Sequence, residues 1–316
     1  MKDRTHSLVS IIGVCILILT ILTTGCTQKD DAQKIGVAVE FNDHAASAHV
    51  AMENGWYEDE GINFTAYESY ATGMQLTSAL ARGDVDVAYI CLAPAILAYD
   101  RGVPIKIVSG THKNGYGLVA GPNVTGISDL NGATIGCVRE GSMVDLLLNR
   151  MIKEYDIKDI RIQRMSPLTQ VITLETGKID AAFLPEHYAT VAEARGFQML
   201  VTSSELWHEM QGSVLIVRRD LIENDPETVR RLVMVTGRAT TWINENPDDS
   251  ALILAKNLDT DPETIRRSME RLNYTTAIDS GSVQDVIDFM VELGYVGEDT
   301  RAEDILDTRF LEGASV

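Results

Sequence analysis

Cysteine, basic charge and long apolar runs are all scarce in this chain. There are four cysteines in 316 residues. Cys15 lies inside an apolar segment near the N-terminus and Cys26 just after it, which leaves Cys91 and Cys137 for the body of the protein. Two cysteines are not a disulfide framework. Each closes an apolar, strand-like run, VDVAYIC and ATIGC, so both are expected as small buried residues. Lysine and arginine number 27 against 46 aspartates and glutamates, a net charge of −19. A surface this acidic repels phosphate backbones, which argues against a nucleic-acid partner. The longest apolar run, Leu8 to Leu22, has 15 residues, short of the ~20 that a membrane-spanning helix needs. Catalytic signatures are missing as well: there is no phosphate loop GxxxxGK[ST], no cysteine cluster and no distinctive ordering of Ser, His and Asp. His44, His49, His112, His187 and His208 match no zinc spacing. The expectation is a protein that is not an enzyme and uses no cofactor or metal.

What is present begins at the N-terminus. Lys2 and Arg4 precede Leu8 to Leu22, 15 residues without a charge, and Thr23-Thr24-Gly25-Cys26 separates that run from polar Thr27 to Asp31. A basic start, a short apolar run and a small-residue boundary make an export signal. Gly25-Cys26 resembles the lipobox of prokaryotic lipoproteins, with Thr23 where leucine is usual. The resemblance implies a lipoprotein-type signal over residues 1–26, lipidation of Cys26 and an extracytoplasmic, membrane-anchored protein. A plain secretory signal and an uncleaved anchor are the other readings. Residues 27–34 are a polar linker.

The body of about 290 residues suits two domains of ordinary size. From Ile35 to Ser109 strand-like and helix-like segments alternate. Strands are expected at 35–39, 62–67, 85–90 and 105–109, and helices at 43–56, 73–82 and 94–100, the second stopped by Gly83. Such alternation means βαβ units and a mostly parallel sheet covered on both faces. The pattern repeats from Gly117 to Val201, followed by one more strand at 213–217. After Asn224 the texture is helical, with Asp225-Pro226-Glu227 and Asp261-Pro262-Glu263 as helix starts, and no strand is expected beyond Val217. The fold class is α/β, with residues 35–120 as the first part of one lobe and 121–212 as a second lobe. Residues 213–316 return to the first lobe and add C-terminal helices.

Several stretches carry a family resemblance. Asn54-Gly55-Trp56-Tyr57-Glu58-Asp59-Glu60-Gly61-Ile62 resembles a GWF-x-x-EGL signature. Gly73, ALARGDVDVA at 79–88, Ala93-Pro94-Ala95, RGVPIK at 101–106, ISDLNG at 127–132 with Ile135-Gly136, and GKIDAA at 177–182 follow in the same order. Together they resemble the substrate-binding proteins of ABC importers in the sulfonate, nitrate and thiamine-pyrimidine group, including NMT1-like, alkanesulfonate- and taurine-binding proteins. The resemblance covers about Ile35 to Asp288. It implies a type II periplasmic-binding-protein fold, two α/β lobes joined by a hinge, with a ligand cleft between them. It also implies delivery of a small organic anion, alkanesulfonate- or taurine-like, by a monomer to a permease driven by a cytoplasmic ATPase. Nitrate, bicarbonate, a thiamine-pyrimidine precursor, or a stand-alone extracellular sensor are the alternatives.

By position in that family, the ligand-binding residues are Asn42, Asp43, Thr72, Gly73, Cys91, Leu92, Ala93, Tyr116, Gly141, Ser142, Met143, Glu186 and His187. Thr72-Gly73 and Gly141-Ser142 also read as helix starts, whose exposed N–H groups and dipole suit an anion. Glu186 is open to three readings: a partner for the amine of a zwitterion, a solvated carboxylate, or a partner of Arg139. Lys113 and Arg139 are the basic candidates for the anion, and Trp207 to Met210 a candidate stretch of cleft wall.

Overall fold

The structure, a computed structural model, describes residues 35–312. The proposed signal, Cys26 and the linker lie outside the described residues.

Among the described residues eleven strands form two mixed sheets. In chain order they are β1 (Ile35–Glu40), β2 (Phe64–Tyr70), β3 (Val87–Cys91), β4 (Ile105–Asn114), β5 (Tyr116–Ala120), β6 (Thr134–Cys137), β7 (Arg161–Arg164), β8 (Ala181–Pro185), β9 (Gln198–Thr202), β10 (Gln211–Arg218) and β11 (Leu272–Tyr274). The first sheet runs β11-β4-β10-β3-β1-β2 and the second β7-β6-β8-β5-β9. β1 pairs in parallel with β2 and β3, while β10 is antiparallel to both β3 and β4. In the second sheet β6 is parallel to β7 and β8, and β5 antiparallel to β8 and β9.

Three expectations need correction. The sheets are mixed in their pairing: in the first the returning strand β10 inserts antiparallel between β3 and β4, and in the second β5 lies antiparallel between β8 and β9. β11 follows Val217 after all. It is only three residues long and pairs with β4, too short for a periodic signal. Tyr116–Ala120, counted with the first lobe, pairs within the second sheet. The chain changes sheets at Asn114 and Gly115, both with left-handed φ (58° and 84°). Gly115 cannot carry a side chain here, since a Cβ would lie 2.9 Å from Leu272 Cγ and 3.2 Å from His44 Nε2.

The helices used below are α1 (Ala46–Glu53), α2 (Gly73–Arg82), α3 (Leu92–Asp100), α4 (Met143–Glu154), α5 (Pro167–Glu175), α6 (Glu186–Ala194), α7 (Pro226–Glu245), α8 (Pro247–Leu258), α9 (Pro262–Met269) and α10 (Ser280–Glu292). α2 shows how local signals set them. Thr72 Oγ1 accepts from Gln75 N at its start, and Gly83 ends it at φ +77°. Leu76, Ala79 and Leu80, at i, i+3 and i+4, are fully buried, each leucine contributing about 1.5–3 kcal/mol of burial. α7 and α9 begin as their Asp-Pro-Glu sequences imply, with Asp225 and Asp261 carboxylates accepting first-turn N–H groups. The expected 43–56 helix is broken: a 3-10 turn at Asp43–Ala45 precedes α1, and Gly55 adopts φ +72°.

α7 and α8 pack on α1, α10 on α3, and α9 on α6. One apolar cluster runs from Leu76, Leu80 and Leu97 to Leu147, Ile135 and Phe183, so the elements around the two sheets share a continuous core.

Candidate functional site

Five helices begin at one place. Thr72 and Gly73 open α2, Cys91 precedes α3, Ser142 and Met143 open α4, Pro167 opens α5, and Pro185 precedes α6; all line a single cavity. Cys91 and Pro185 are also the last residues of β3 and β8. This is the carboxyl edge of both sheets, where open α/β folds take ligands. Each helix start presents N–H groups with no partner inside the helix and the positive end of a dipole. The cavity is tight: about 30 Å3 of it admits the centre of a water molecule, room for one or two waters in this arrangement.

Among the described residues no lysine, arginine or histidine lines the cavity, and the one charged side chain that does is Glu40, the last residue of β1, 4% exposed. Glu40 Oε1 accepts from Cys91 N at 2.8 Å, and Oε2 from the Cys91 thiol at 3.1 Å and Asn42 Nδ2 at 3.3 Å. Burial pushes the Glu40 carboxyl above its ordinary range, against the lowering effect of these bonds. Burial, with Glu40 beside it, also pushes the Cys91 thiol well up. Tyr116 Oη donates toward Cys91 Sγ (3.1 Å) and Gly212 O (3.2 Å). Behind them His44 Nε2 lies 2.7 Å from Gly115 O and so carries the proton. Burial holds this imidazole neutral, its affinity for a proton lowered further by His112, whose ring is tilted by 46° with its centroid 4.3 Å away.

Seven of the expected residues meet in the cavity: Asn42, Thr72, Gly73, Cys91, Tyr116, Ser142 and Met143. Leu92 and Ala93 are buried in the first turn of α3, and Gly141 only shapes the turn before α4 (φ +77°). Asp43 is buried against the Ser268 hydroxyl, its carboxyl pushed up to about 7 chiefly by desolvation. His187 lies 3.0 Å from Thr260 Oγ1, and burial lowers it to about 4. Asp43 and His187 stand behind the cavity wall, not in it. Glu186 is neither a solvated carboxylate nor a partner of Arg139. Its side chain is 1% exposed and pairs with Arg271 at 2.8 Å, while Thr190 Oγ1 donates to it at 3.0 Å. Lys113 pairs with Glu209, Arg139 is exposed, and neither lines the cavity. Trp207 packs against Phe289 and under Arg150, also away from the cavity.

The sequence reading missed Glu40, the residue just after the strand expected at 35–39. It also missed Pro94, Pro167 and Pro185, which line the cavity from helix starts. Pro167 at the first position of α5 was a usable signal. Among the described residues no group of three or more His, Cys, Asp or Glu is placed to hold a metal ion.

Known proteins with similar sequence and structure fit this geometry. A protein of Brucella abortus (strain 2308), named only as a binding protein, is 27% identical over 268 residues, 83% of this chain and 80% of that one. The taurine-binding periplasmic protein of Escherichia coli (strain K12) is 26% identical over 223 residues, 69% of each chain. The crystal structure of the periplasmic nitrate-binding protein NrtA from Synechocystis PCC 6803 superposes with a TM-score of 0.81 at 16% identity, over 90% of this chain and 89% of that one. The architecture is therefore the periplasmic-binding-protein fold. The profile of the NMT1-like family matches residues 28–257, and the chain belongs to that family.

Proposed function

We propose that the protein is the solute-capturing component of an ABC importer, working outside the cytoplasm. It takes a small acidic solute, of the sulfonate or taurine kind, between its two halves and presents it to a permease coupled to an ATPase. The observation that carries this reading is the convergence of five helix starts on one small cavity without a basic side chain. Backbone N–H groups and helix dipoles then bind the acid group, and the solute shifts the halves toward the closed arrangement by binding it better. Such a cycle needs no bond chemistry. The E. coli relative supports the solute class by its name. Lipid on Cys26 tethers the receptor to the membrane in this reading.

A thermal-shift screen of the purified protein tests it. Ligand that binds only the folded state raises stability by about 2.7 kcal/mol at a hundredfold excess over Kd. A clear shift with taurine, a short alkanesulfonate, nitrate or bicarbonate supports the reading; none with any acid overturns it. For the anchor, a Cys26→Ala variant is expected to leave the membrane fraction.

A further inference from the structure

We infer that Glu40 selects a solute that carries an N–H donor beside its acid group, a small amino acid in the broad sense, and rejects the plain anion. This rests on the solute-receptor reading above and narrows it.

The cavity wall holds two chemically different groups. One is the start of α4. Ser142, which precedes α4, is 6% exposed, and its hydroxyl oxygen is buried without a hydrogen-bond partner. A buried hydroxyl without a partner is costly, and an acid group at the α4 start supplies one. The other is Glu40, beside the starts of α2 and α3. A carboxylate has room for about four hydrogen bonds, and the protein supplies three, from Cys91 N, the Cys91 thiol and Asn42 Nδ2.

None of those three donors is a cation. The nearest titratable base, His44, is held neutral, with its Nε2 proton committed to Gly115 O. The next acid, Asp43, adds no positive charge. Glu40 is therefore a buried acid in a solute site with no counter-charge of its own. It is also held in place: a Cβ on Gly73 would come within 2.3 Å of Glu40 Oε1, so the glycine leaves room for this carboxyl at the start of α2. A bare anion set against it meets like-charge repulsion in a poorly solvated space, whereas an ammonium or amino group supplies both the missing charge and the missing donor.

Matched pairs that differ only by an amine test this by calorimetric titration of the intact protein: taurine against ethanesulfonate, β-alanine against propionate, and 2-aminoethylphosphonate against ethylphosphonate. In at least one pair the amino member is expected to bind tenfold or more tightly. In Glu40→Gln, which keeps an oxygen for Cys91 N, that preference is expected to fall below threefold. The plain acid should bind as well as before or better. Circular dichroism and the Tm of the variant confirm its fold, and the paired comparison in the unmodified protein does not depend on the variant at all. Plain acids binding within threefold of their amino partners overturn the role of Glu40, including the case where a protonated Glu40 donates to the anion. So does a Glu40→Gln protein that keeps the preference. No binding by any of the six, nor by nitrate or bicarbonate, overturns the acidic-solute reading itself, a different result from either.

Discussion

Arg271, between α9 and β11, reaches α6: its Nη1 lies 2.8 Å from Glu186 Oε1 and also contacts Glu193. Arg271 is one-third exposed, while the Glu186 side chain is 1% exposed. The pair thus ties α6, which starts at the second sheet, to a segment that leads into the first. Desolvation raises the Glu186 carboxyl and Arg271 pulls it back. Removing the arginine leaves a buried acid without its cation. Arg271→Met is expected to cost about 1–3 kcal/mol in urea unfolding, below the 3–5 typical of a fully buried pair because water reaches the guanidinium. Adding Glu186→Gln should restore a measurable part. An unchanged midpoint in Arg271→Met would show that the contact contributes nothing.

Asp43 lends itself to a pH test. Its carboxyl is raised to about 7 in the folded protein, mainly by burial, from an ordinary 3.8. A raised acid favours the folded state below pH 4, and that contribution is lost as pH climbs to about 7. Asp43→Asn resembles the protonated form and does not ionise. The difference in Tm, variant minus unmodified protein, should therefore rise between pH 4 and pH 8. A difference that stays flat or falls would mean that Asp43 ionises freely where it sits.

Gly73→Ala probes the packing around the cavity. The new methyl would press on Glu40 Oε1 and lie 3.0 Å from Pro94 Cγ and 3.2 Å from Ile90 Cγ1. The first position of a helix accepts alanine, so the damage is steric and local. We expect a loss of about 1–3 kcal/mol from overpacking and at least a tenfold drop in affinity for whichever solute the protein binds. Full affinity in this variant would place the solute elsewhere.

Cys91 and Cys137 are both buried, and burial raises both thiols, Cys91 well above its usual value. The thiolate is the reactive form. Peptides containing these residues should stay unlabelled when the native protein meets iodoacetamide at pH 8, and become labelled in urea. Prompt native labelling of Cys91 would show that the cavity opens widely in solution.

Much of the site could be read from the chain because helix starts are local. Thr72-Gly73 and Ser142-Met143 announce themselves through capping residues and turns, and both line the cavity. Cys91 and Tyr116 were reached only through family position. Glu40 was invisible for a different reason. At the end of an apolar strand it is one more polar residue, and its role depends on Cys91, 51 positions away, donating N–H and thiol to it. Glu186 misled in the opposite direction: it stands beside the helix start that family position points to, yet its partner Arg271 lies 85 residues on.

The sequence alone determined the family, the alternation of strand and helix, and the stops at Gly83 and the Asp-Pro-Glu starts. These follow from periodicity and from single-residue backbone preferences. Only the tertiary structure decided that β10 inserts between β3 and β4 and that five helix starts share one cavity. It likewise put Glu40 in the wall of that cavity, with the neutral His44 behind it, in place of a lysine or arginine. Strand order and side-chain partnership are relations between distant segments, set by how apolar faces pack, and no local pattern encodes them.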